Sequence, residues 1–377
     1  MKQRDIQKPN FNGMCFVHYY TKDELDPHIV ALEMEKLNVK SVRIWSHFSW
    51  IMNRDFTLKP EIADSYHTLY RELLSHGVTE IVAMSHYWFM PETKYGDHEC
   101  GMCYDRDLTP GSLYLQFLDL FEESWERLVA EFPEVTAWEI GNELNHKAFM
   151  KRIDGSDFSW EDRIDIATDM MARGCRAIRK MNPKAIVIMP GMAPVNGQSE
   201  GVLMNCIAAE YDGINDSIAR VYENIASGAF GSTDPRDYFG ALAWHPYYAK
   251  QREDGSWYFC IPDDEWIELN RSIYQVAADH GDDGVKCYLT EYGYNDWGLE
   301  TEDEALVAFT RKGFSMLRDD MDFVTTVHAY RFCDSMGYVS DQPDTYAFYH
   351  LENGRLYAKR RAYELQRQYG GHGELAK

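Results

Sequence analysis

The 377-residue chain contains no apolar run long enough to span a membrane, and its first residues, MKQRDIQKPNFNG, lack the apolar core of a secretory signal. Positive charge is also scarce: 38 lysines and arginines face 61 aspartates and glutamates, a formal net charge of −23. Because nucleic acids and anionic membranes attract basic surfaces, this balance argues against both as partners. We therefore expect a cytoplasmic protein whose partner is a small molecule.

Motifs of several large enzyme classes are missing as well. The chain has neither an HExxH pattern nor a P-loop, so zinc peptidase and nucleotide hydrolase activities have no support. The eight cysteines are irregularly spaced, as free thiols in a cytoplasmic protein are. Cys100 and Cys103 form a single CxxC pattern with His98 just before it, but a tetrahedral zinc site would need more ligands. Chance clustering in a loop is the simpler interpretation, so we predict no metal or other cofactor.

Strand-like and helix-like segments alternate along the whole chain. Apolar runs predict strands at 13–19, 39–45, 80–85, 135–140, 185–189, 239–244, 285–290 and 323–330. Helical spacing predicts helices at 22–37, 62–75, 113–131, 160–181, 201–226, 263–280, 302–318 and 356–369. Thr21 is the predicted cap of the first helix. Eight strand–helix pairs without a linker predict a single closed (β/α)₈ TIM barrel over residues 1–377, in the α/β class.

Two of the predicted strands are followed by glutamates. VTAWEI leads into Gly141, Asn142 and Glu143, and VKCYLT leads into Glu291. In a parallel barrel, catalytic groups lie at the C-terminal ends of the strands. One such glutamate alone could be a surface residue or a helix cap. A pair of them is what the hydrolysis of a glycosidic bond by two carboxylates requires.

Other polar and aromatic groups follow the same strand ends. A basin of aromatic, imidazole, amide and carboxylate groups suits a neutral, polyhydroxylated ligand. The high aromatic content, 14%, suits stacking on pyranose rings but also a large aromatic core. Trp138 is expected in that core, and Arg43 and His86 are equally consistent with packing inside the barrel. The candidate residues at the mouth besides the glutamates are His18, Arg43, Trp45, His86, Trp88, Asn142, His245, Tyr247 and Tyr330.

Taken together, these motifs resemble those of clan A glycoside hydrolases, a superfamily of retaining barrel enzymes. WEIGNE resembles the fourth-strand acid/base motif, and YLTEYGY resembles the seventh-strand nucleophile motif. AWHPYY resembles the sixth-strand His-x-Tyr pattern, VRIW matches the second-strand arginine, and KRRAYEL resembles the last helix. Within the clan, the chain looks most like family 39, the β-xylosidase and α-L-iduronidase group, and then like family 5.

The resemblance implies a role for each catalytic group. Glu143 would be the acid/base and Glu291 the nucleophile of a double displacement, and Tyr247 would hydrogen-bond the nucleophile. Leu144 stands where many relatives have proline, and Tyr330 stands where the clan usually has a tryptophan. The long, aromatic loops at 87–110 and 247–262 are expected to close one end of the site. A closed pocket favours exo action on small glycosides or oligosaccharides.

Two other functions stay open on the sequence alone. A metal-dependent sugar isomerase or epimerase could use Glu143, His245 and Glu291 as ligands, although few further ligands are evident on neighbouring strands. A non-catalytic carbohydrate-binding barrel is less consistent with the sequence, because both carboxylates are present. The sequence is compatible with a homo-oligomer.

Overall fold

A closed barrel of eight parallel strands forms the centre of the molecule. The computed structural model describes residues 8–17, 25–94, 101–194, 213–251, 257–294, 302–333 and 346–377. The strands within these ranges are β1 (Asn12–Phe16), β2 (Ser41–Trp45), β3 (Glu80–Ser85), β4 (Gly101–Cys103), β5 (Ala137–Ile140), β6 (Met150–Arg152), β7 (Ile186–Ile188), β8 (Ala241–Trp244), β9 (Ala249–Gln251), β10 (Trp257–Phe259), β11 (Lys286–Tyr292), β12 (Val324–Ala329), β13 (Tyr349–Glu352) and β14 (Arg355–Ala358). Around the barrel, the order is β1-β12-β11-β8-β7-β5-β3-β2, and β2 pairs with β1 to close it. The predicted (β/α)₈ TIM barrel is confirmed.

Helices surround the barrel and cover its apolar outer face. They are α1 (Pro27–Lys36), α2 (Phe48–Ile51), α3 (Pro60–Ser75), α4 (Leu113–Glu131), α5 (Trp160–Met181), α6 (Ile214–Ser227), α7 (Asp264–Asp279), α8 (Glu302–Asp319) and α9 (Arg360–Tyr369), with a 3₁₀ helix at Pro235–Asp237. Ser112, Ser159 and Asp263 cap α4, α5 and α7, each accepting a hydrogen bond from the backbone N–H three residues on. Among the described helices, none has the length and hydrophobicity needed to cross a bilayer.

The first helix begins later than the sequence pattern predicts. The predicted start at residue 22 and the predicted cap Thr21 fall in residues 18–24, which lie outside the described part of the chain. α1 begins at Pro27, and the side chain of Asp26 accepts a hydrogen bond from the His28 backbone N–H. Aspartate at the N-cap followed by proline at the first helical position is a strong start signal, which explains why α1 begins there.

The last helix is also shorter than predicted. Residues 356–358 belong to β14, which pairs with β13 in an antiparallel hairpin, so α9 begins at Arg360. The hairpin turns at Asn353 and Gly354, both of which have positive φ. An Asn-Gly pair is the strongest local signal for such a turn, and it outweighs the helical spacing of the residues that follow.

A buried polar network fills the N-terminal end of the barrel. The Ser41 hydroxyl donates to Glu80 Oε1 at 2.8 Å and lies 2.9 Å from Nε2 of His328. The Tyr288 hydroxyl donates to the other oxygen of Glu80 at 3.0 Å. These bonds offset the cost of burying a carboxylate. The polar groups described next lie at the opposite end, where the strands finish.

Candidate active site

The chain turns sharply after β5 and carries Glu143 into the mouth of the barrel. Gly141 has a φ of 88° and Glu143 has a φ of 49°, a left-handed conformation that few non-glycine residues adopt. The Glu143 backbone N–H donates to the Gly191 carbonyl at 2.9 Å, and Asn142 forms a β-bridge with Gly191. The loop after β7 therefore anchors the turn that orients Glu143.

Glu143 contacts His245, the first residue after β8. His245 Nδ1 lies 2.7 Å from Glu143 Oε1, and Nε2 lies 3.1 Å from the Thr290 hydroxyl. Gly191 leaves the space for this arrangement, because a Cβ there would collide with both His245 Nε2 and the Thr290 hydroxyl. Burial works to lower the pKa of His245, but the charge of Glu291 and the hydrogen bond to Glu143 outweigh it and raise the pKa. His245 therefore gains a proton at a higher pH than a free imidazole does.

Glu291 is a buried carboxylate held by two donors. It is the sixth residue of β11, which runs on to Tyr292 rather than ending before the glutamate. Arg43 Nη1 donates to Oε1 at 2.8 Å, and the Tyr247 hydroxyl donates to Oε2 at 2.9 Å. Burial works to raise the pKa of Glu291, but the charges of His245 and Arg43 and the two hydrogen bonds bring it below its usual value. Glu291 is therefore ionised at neutral pH.

Below the mouth of the barrel, Arg43 donates hydrogen bonds to Glu291, Glu139 and Asn142. Its Nε and Nη2 donate to the two oxygens of Glu139 at 2.5 and 3.2 Å, and Nη2 also donates to Asn142 Oδ1 at 2.6 Å. The Arg43–Glu139 pair is completely buried, and Glu139 accepts a further bond from the Gly191 N–H. Glu139 was not among the site residues predicted from the sequence. The signal that could have identified it is a glutamate inside the apolar strand AWEI, because a buried charge needs a partner.

The two candidate catalytic carboxylates lie close together. Glu143, His245 and Glu291 each present one oxygen or nitrogen atom, and the three atoms lie within 4.8 Å of one another. Carboxyl separations of about 5–5.5 Å characterise retaining glycosidases, and about 6.5–9.5 Å inverting ones. The same three groups could in principle hold a metal ion. The Arg43 guanidinium bound to Glu291 opposes a cation there.

His86 directly follows β3, and its imidazole is buried. Neither ring nitrogen has a partner among the described residues, and burial and the charge of Arg43 lower the pKa of His86 to about 3. His86 is therefore neutral, with one donor and one acceptor available to a ligand. His47, which the sequence analysis did not select, lies beside it and accepts a 2.9 Å hydrogen bond from the His86 backbone N–H.

Aromatic side chains stand at two other strand ends. Trp45, the last residue of β2, is half-buried, and its indole N–H has no partner among the described residues. Tyr330 directly follows β12, and its ring makes an edge contact with Tyr346 at 5.4 Å. Tyr346 in turn contacts the ring of Tyr247 at 6.0 Å. Tyr330 is thus linked through Tyr346 to the tyrosine that binds Glu291.

Trp88, predicted at the mouth, packs into the core beside His86, at a ring distance of 5.4 Å. Its indole packs against Phe117 and Phe121 of α4, its N–H donates to the Met102 carbonyl at 2.7 Å, and it is only 2% exposed. Gly101 makes this possible, because any side chain there would collide with the indole ring. The loop after β3 therefore folds back and draws Trp88 into the core.

The remaining predictions concern a core tryptophan, the CxxC pattern and two histidines. Trp138 is fully buried against Trp125, at a ring distance of 6.0 Å, as predicted. Cys103 is buried, and this burial raises the pKa of its thiol. His18, His98 and Cys100 lie outside the described residues.

The fold and the site together define a (β/α)₈ barrel with two facing carboxylates at the C-terminal strand ends. Neither the protein-family models nor the curated proteins include a match to the chain. Solved structures do match it over nearly its whole length. A family 1 β-glucosidase from Thermotoga maritima in complex with isofagomine lactam is 12% identical, with a TM-score of 0.64, over 98% of this chain and 99% of that one.

Two further structures from Thermotoga maritima are similar in the same way. The β-glucosidase in complex with cyclophellitol is 12% identical, with a TM-score of 0.63 and the same coverage. A family 1 β-glucosidase is 13% identical, with a TM-score of 0.58, over 91% of this chain and 86% of that one. At such identities the similarity establishes the fold. The predicted likeness to families 39 and 5 stays a prediction.

Proposed function

We propose that this protein is a retaining glycoside hydrolase of clan A that cleaves β-glycosides by double displacement. The observation that carries the proposal is the approach of Glu143 and Glu291, whose oxygens lie within 4.8 Å across the mouth of the barrel. The β-glucosidases that share the fold support it. The finer resemblance to family 39, and then to family 5, is part of the proposal and rests on the sequence motifs.

The two carboxylates have different surroundings, which suit different roles. Glu291, kept ionised by Arg43 and Tyr247, attacks the anomeric carbon and forms a glycosyl ester. Glu143 gives its proton to the glycosidic oxygen, and the aglycone leaves. In the second step the Glu143 carboxylate takes a proton from water, whose oxygen attacks the anomeric carbon and frees Glu291. The role of each glutamate comes from the resemblance, and the ionised state of Glu291 supports it.

His245 and Asn142 prepare the acid/base and the sugar subsite. His245 holds Oε1 of Glu143, which leaves the second oxygen for the glycosidic bond. Arg43 donates a hydrogen bond to the amide oxygen of Asn142, so the NH₂ group of Asn142 remains free to bind the sugar 2-hydroxyl. This contact strengthens in the transition state. The ring nitrogens of His86 and Trp45 have no partner in the part of the chain that the structure describes, and they supply further hydrogen bonds to the ring hydroxyls.

The roles are tested with azide and an activated aryl glycoside. Glu143→Ala should lower turnover of substrates with poor leaving groups by about 10²–10⁴-fold, as expected for loss of a general acid. Azide should restore its turnover and give a glycosyl azide of retained configuration. Azide with Glu291→Ala should give the inverted product. Inverted product from the unmodified enzyme would contradict retention, and exchanged outcomes for the two variants would reverse the roles.

The exo mode of action is a further part of the proposal. The loops at 87–110 and 247–262 carry the residues that would close the site, although Trp88 belongs to the core. Residues 95–100 and 252–256 of these loops lie outside the described part of the chain. Digestion of a soluble oligosaccharide should release single sugars from one end. Early release of mixed oligomers would contradict exo action.

The cluster of Glu143, His245 and Glu291 keeps a metal-dependent sugar isomerase or epimerase as the second candidate. Glycosyl transfer by two carboxylates needs no metal, so hydrolysis should survive exhaustive treatment with a chelator. Loss of all activity in the chelator and its recovery with a divalent ion would favour the isomerase. Cytoplasmic location and assembly into a homo-oligomer stay predictions from the sequence.

A further inference from the structure

A second group of metal-binding side chains lies on the outer helices, away from the barrel mouth. His28 belongs to α1, Glu72 belongs to α3, and His76 is the C-cap residue of α3. One nitrogen or oxygen atom from each lies within 4.8 Å of the other two. His28 Nδ1 is 3.0 Å from Glu72 Oε2, and His76 Nε2 is 3.7 Å from the same oxygen. Two helices thus bring three ligand atoms together from distant parts of the sequence.

Two of the three spacings between these atoms are close to those of tetrahedral coordination. Zinc–nitrogen and zinc–oxygen bonds are about 2.0–2.2 Å, which places the ligand atoms of a tetrahedral ion roughly 3.3–3.5 Å apart. The two distances of 3.0 and 3.7 Å bracket this value, so small side-chain movements would complete the site. Glu72 and His76 are four residues apart and share one face of the helical turn. Exposed fractions of 53%, 35% and 18% for His28, Glu72 and His76 let an ion enter from solvent.

Glu35 holds the other ring nitrogen of His76, an arrangement that is typical of metal-binding histidines. Its Oε2 lies 2.7 Å from Nδ1 of His76, the ring nitrogen that faces away from Glu72. A carboxylate in this position keeps the proton on Nδ1 and leaves the lone pair of Nε2 for a metal ion. Histidines that bind metals in proteins are almost always held in this way. His76 is therefore already oriented as a ligand.

We propose that His28, Glu72 and His76 form a binding site for a divalent transition metal ion such as zinc, with water completing the coordination. Imidazole nitrogens favour zinc, nickel or copper over magnesium and calcium, which prefer oxygen ligands. Glu35 is a positioning residue that acts through His76. A bound ion ties α1 to α3 and stabilises the contact between these two helices.

The site is tested by titrating the metal-free protein with zinc chloride in a calorimeter. We expect saturable binding that the double substitution His28→Ala with His76→Ala removes, and that Glu72→Gln weakens. Glu35→Gln should weaken it about 10–100-fold, the effect found when a carboxylate partner of a metal-bound histidine is removed. Magnesium chloride should not compete. Zinc should raise the thermal unfolding midpoint of the unmodified protein but not that of the double variant.

His67→Ala is the matched control on the same helix. His67 lies 3.0 Å from Glu134 and 3.5 Å from Glu131, and Arg71 shares Glu134. Among the described residues, no second imidazole completes a ligand set there. Its zinc titration should equal that of the unmodified protein. Binding that survives in the double variant would assign the zinc to another site, such as the carboxylates of the barrel mouth. Either that result or the absence of saturable binding would overturn the proposal.

Discussion

The ionised state of Glu291 depends on a few individual side chains. Burial alone would favour the neutral acid, and it is the charges of His245 and Arg43 together with the Tyr247 hydrogen bond that reverse this preference. Arg43 is shared with Glu139, so one guanidinium serves two buried carboxylates. The removal of one donor should therefore change the pH range of activity without removing either carboxylate.

Tyr247→Phe tests this dependence. The substitution removes the hydroxyl that donates to Glu291 Oε2, so the pKa of Glu291 should rise. The nucleophile would then become protonated at a higher pH, and the acid limb of the kcat/KM profile should move to higher pH. Tyr248→Phe is the control, because that hydroxyl bonds Asp263 and Glu265 instead. An acid limb that moves equally in both variants, or in neither, would contradict the assignment.

Gly191→Ala tests the packing that positions the acid/base. An added Cβ would displace His245 and Thr290, and with them the hydrogen bond that holds Glu143. We expect kcat/KM to fall by about a hundredfold, because misplacement of a catalytic group by about 1 Å can cost that much. Gly240→Ala, at the other end of β8, has only ordinary contacts at 3.6 Å or more and should retain activity. Full activity in Gly191→Ala would show that His245 does not need its present position.

At the scale of elements, the first turn of α5 supports the loop that follows Glu143. Arg163 in that turn donates to the carbonyls of Asn145 and Phe158, at 2.9 and 2.7 Å, and it is buried. The Ser159 hydroxyl begins the helix by accepting the Asp162 N–H at 3.1 Å. Loss of stability at this helix end should therefore affect the loop after Glu143 but not the reacting groups.

Ser159→Ala removes the N-cap of α5. The free energy of unfolding in urea should fall by about 1 kcal/mol, the usual cost of losing a serine cap. The kcat/KM value should stay unchanged, since no catalytic contact is lost. Ser315→Ala is the control, because this serine bonds the Lys312 carbonyl from inside α8 and caps nothing. Equal losses of stability in the two variants would exclude the cap as the cause.

At the scale of the whole molecule, the barrel depends on contact between its first and last strands. β1 pairs with β12 on one side and with β2 on the other. Gly13 lies at the closure, where a Cβ would come within 2.5 Å of the Val327 carbonyl oxygen and 2.7 Å of a carbon of His328. The backbones of the first and last strands approach closely only because residue 13 has no side chain.

Gly13→Ala should therefore destabilise the entire barrel. Overpacking of this kind costs about 1–3 kcal/mol, which urea unfolding would measure as a lower free energy of unfolding. Gly284→Ala is the control, because a Cβ at residue 284 meets nothing within 4 Å. That variant should differ from the unmodified protein by less than about 0.5 kcal/mol. Equal stability of the two variants would contradict the role of Gly13 in closure.

The amino-acid sequence by itself determined the alternation of strands and helices and the position of both glutamates at strand ends. These features depend on residues close together in the chain, because apolar periodicity reports which face of a segment is buried. The starts of α1 and α9 were missed even though Asp26-Pro27 and Asn353-Gly354 are local signals. The helical spacing of the neighbouring residues predicted other starts and outweighed these signals.

The resemblance already implied that Tyr247 contacts Glu291, but only the tertiary structure decided which other side chains meet. Arg43 contacts Glu139 and Glu291, 96 and 248 residues away, and the register between parallel strands sets those contacts. Trp88 was predicted at the mouth but is buried, because Gly101 leaves room for its ring. His28 and His76 come together only when α1 packs against α3. The sequence specifies the type of each side chain, whereas the packing of distant segments determines which side chains it contacts.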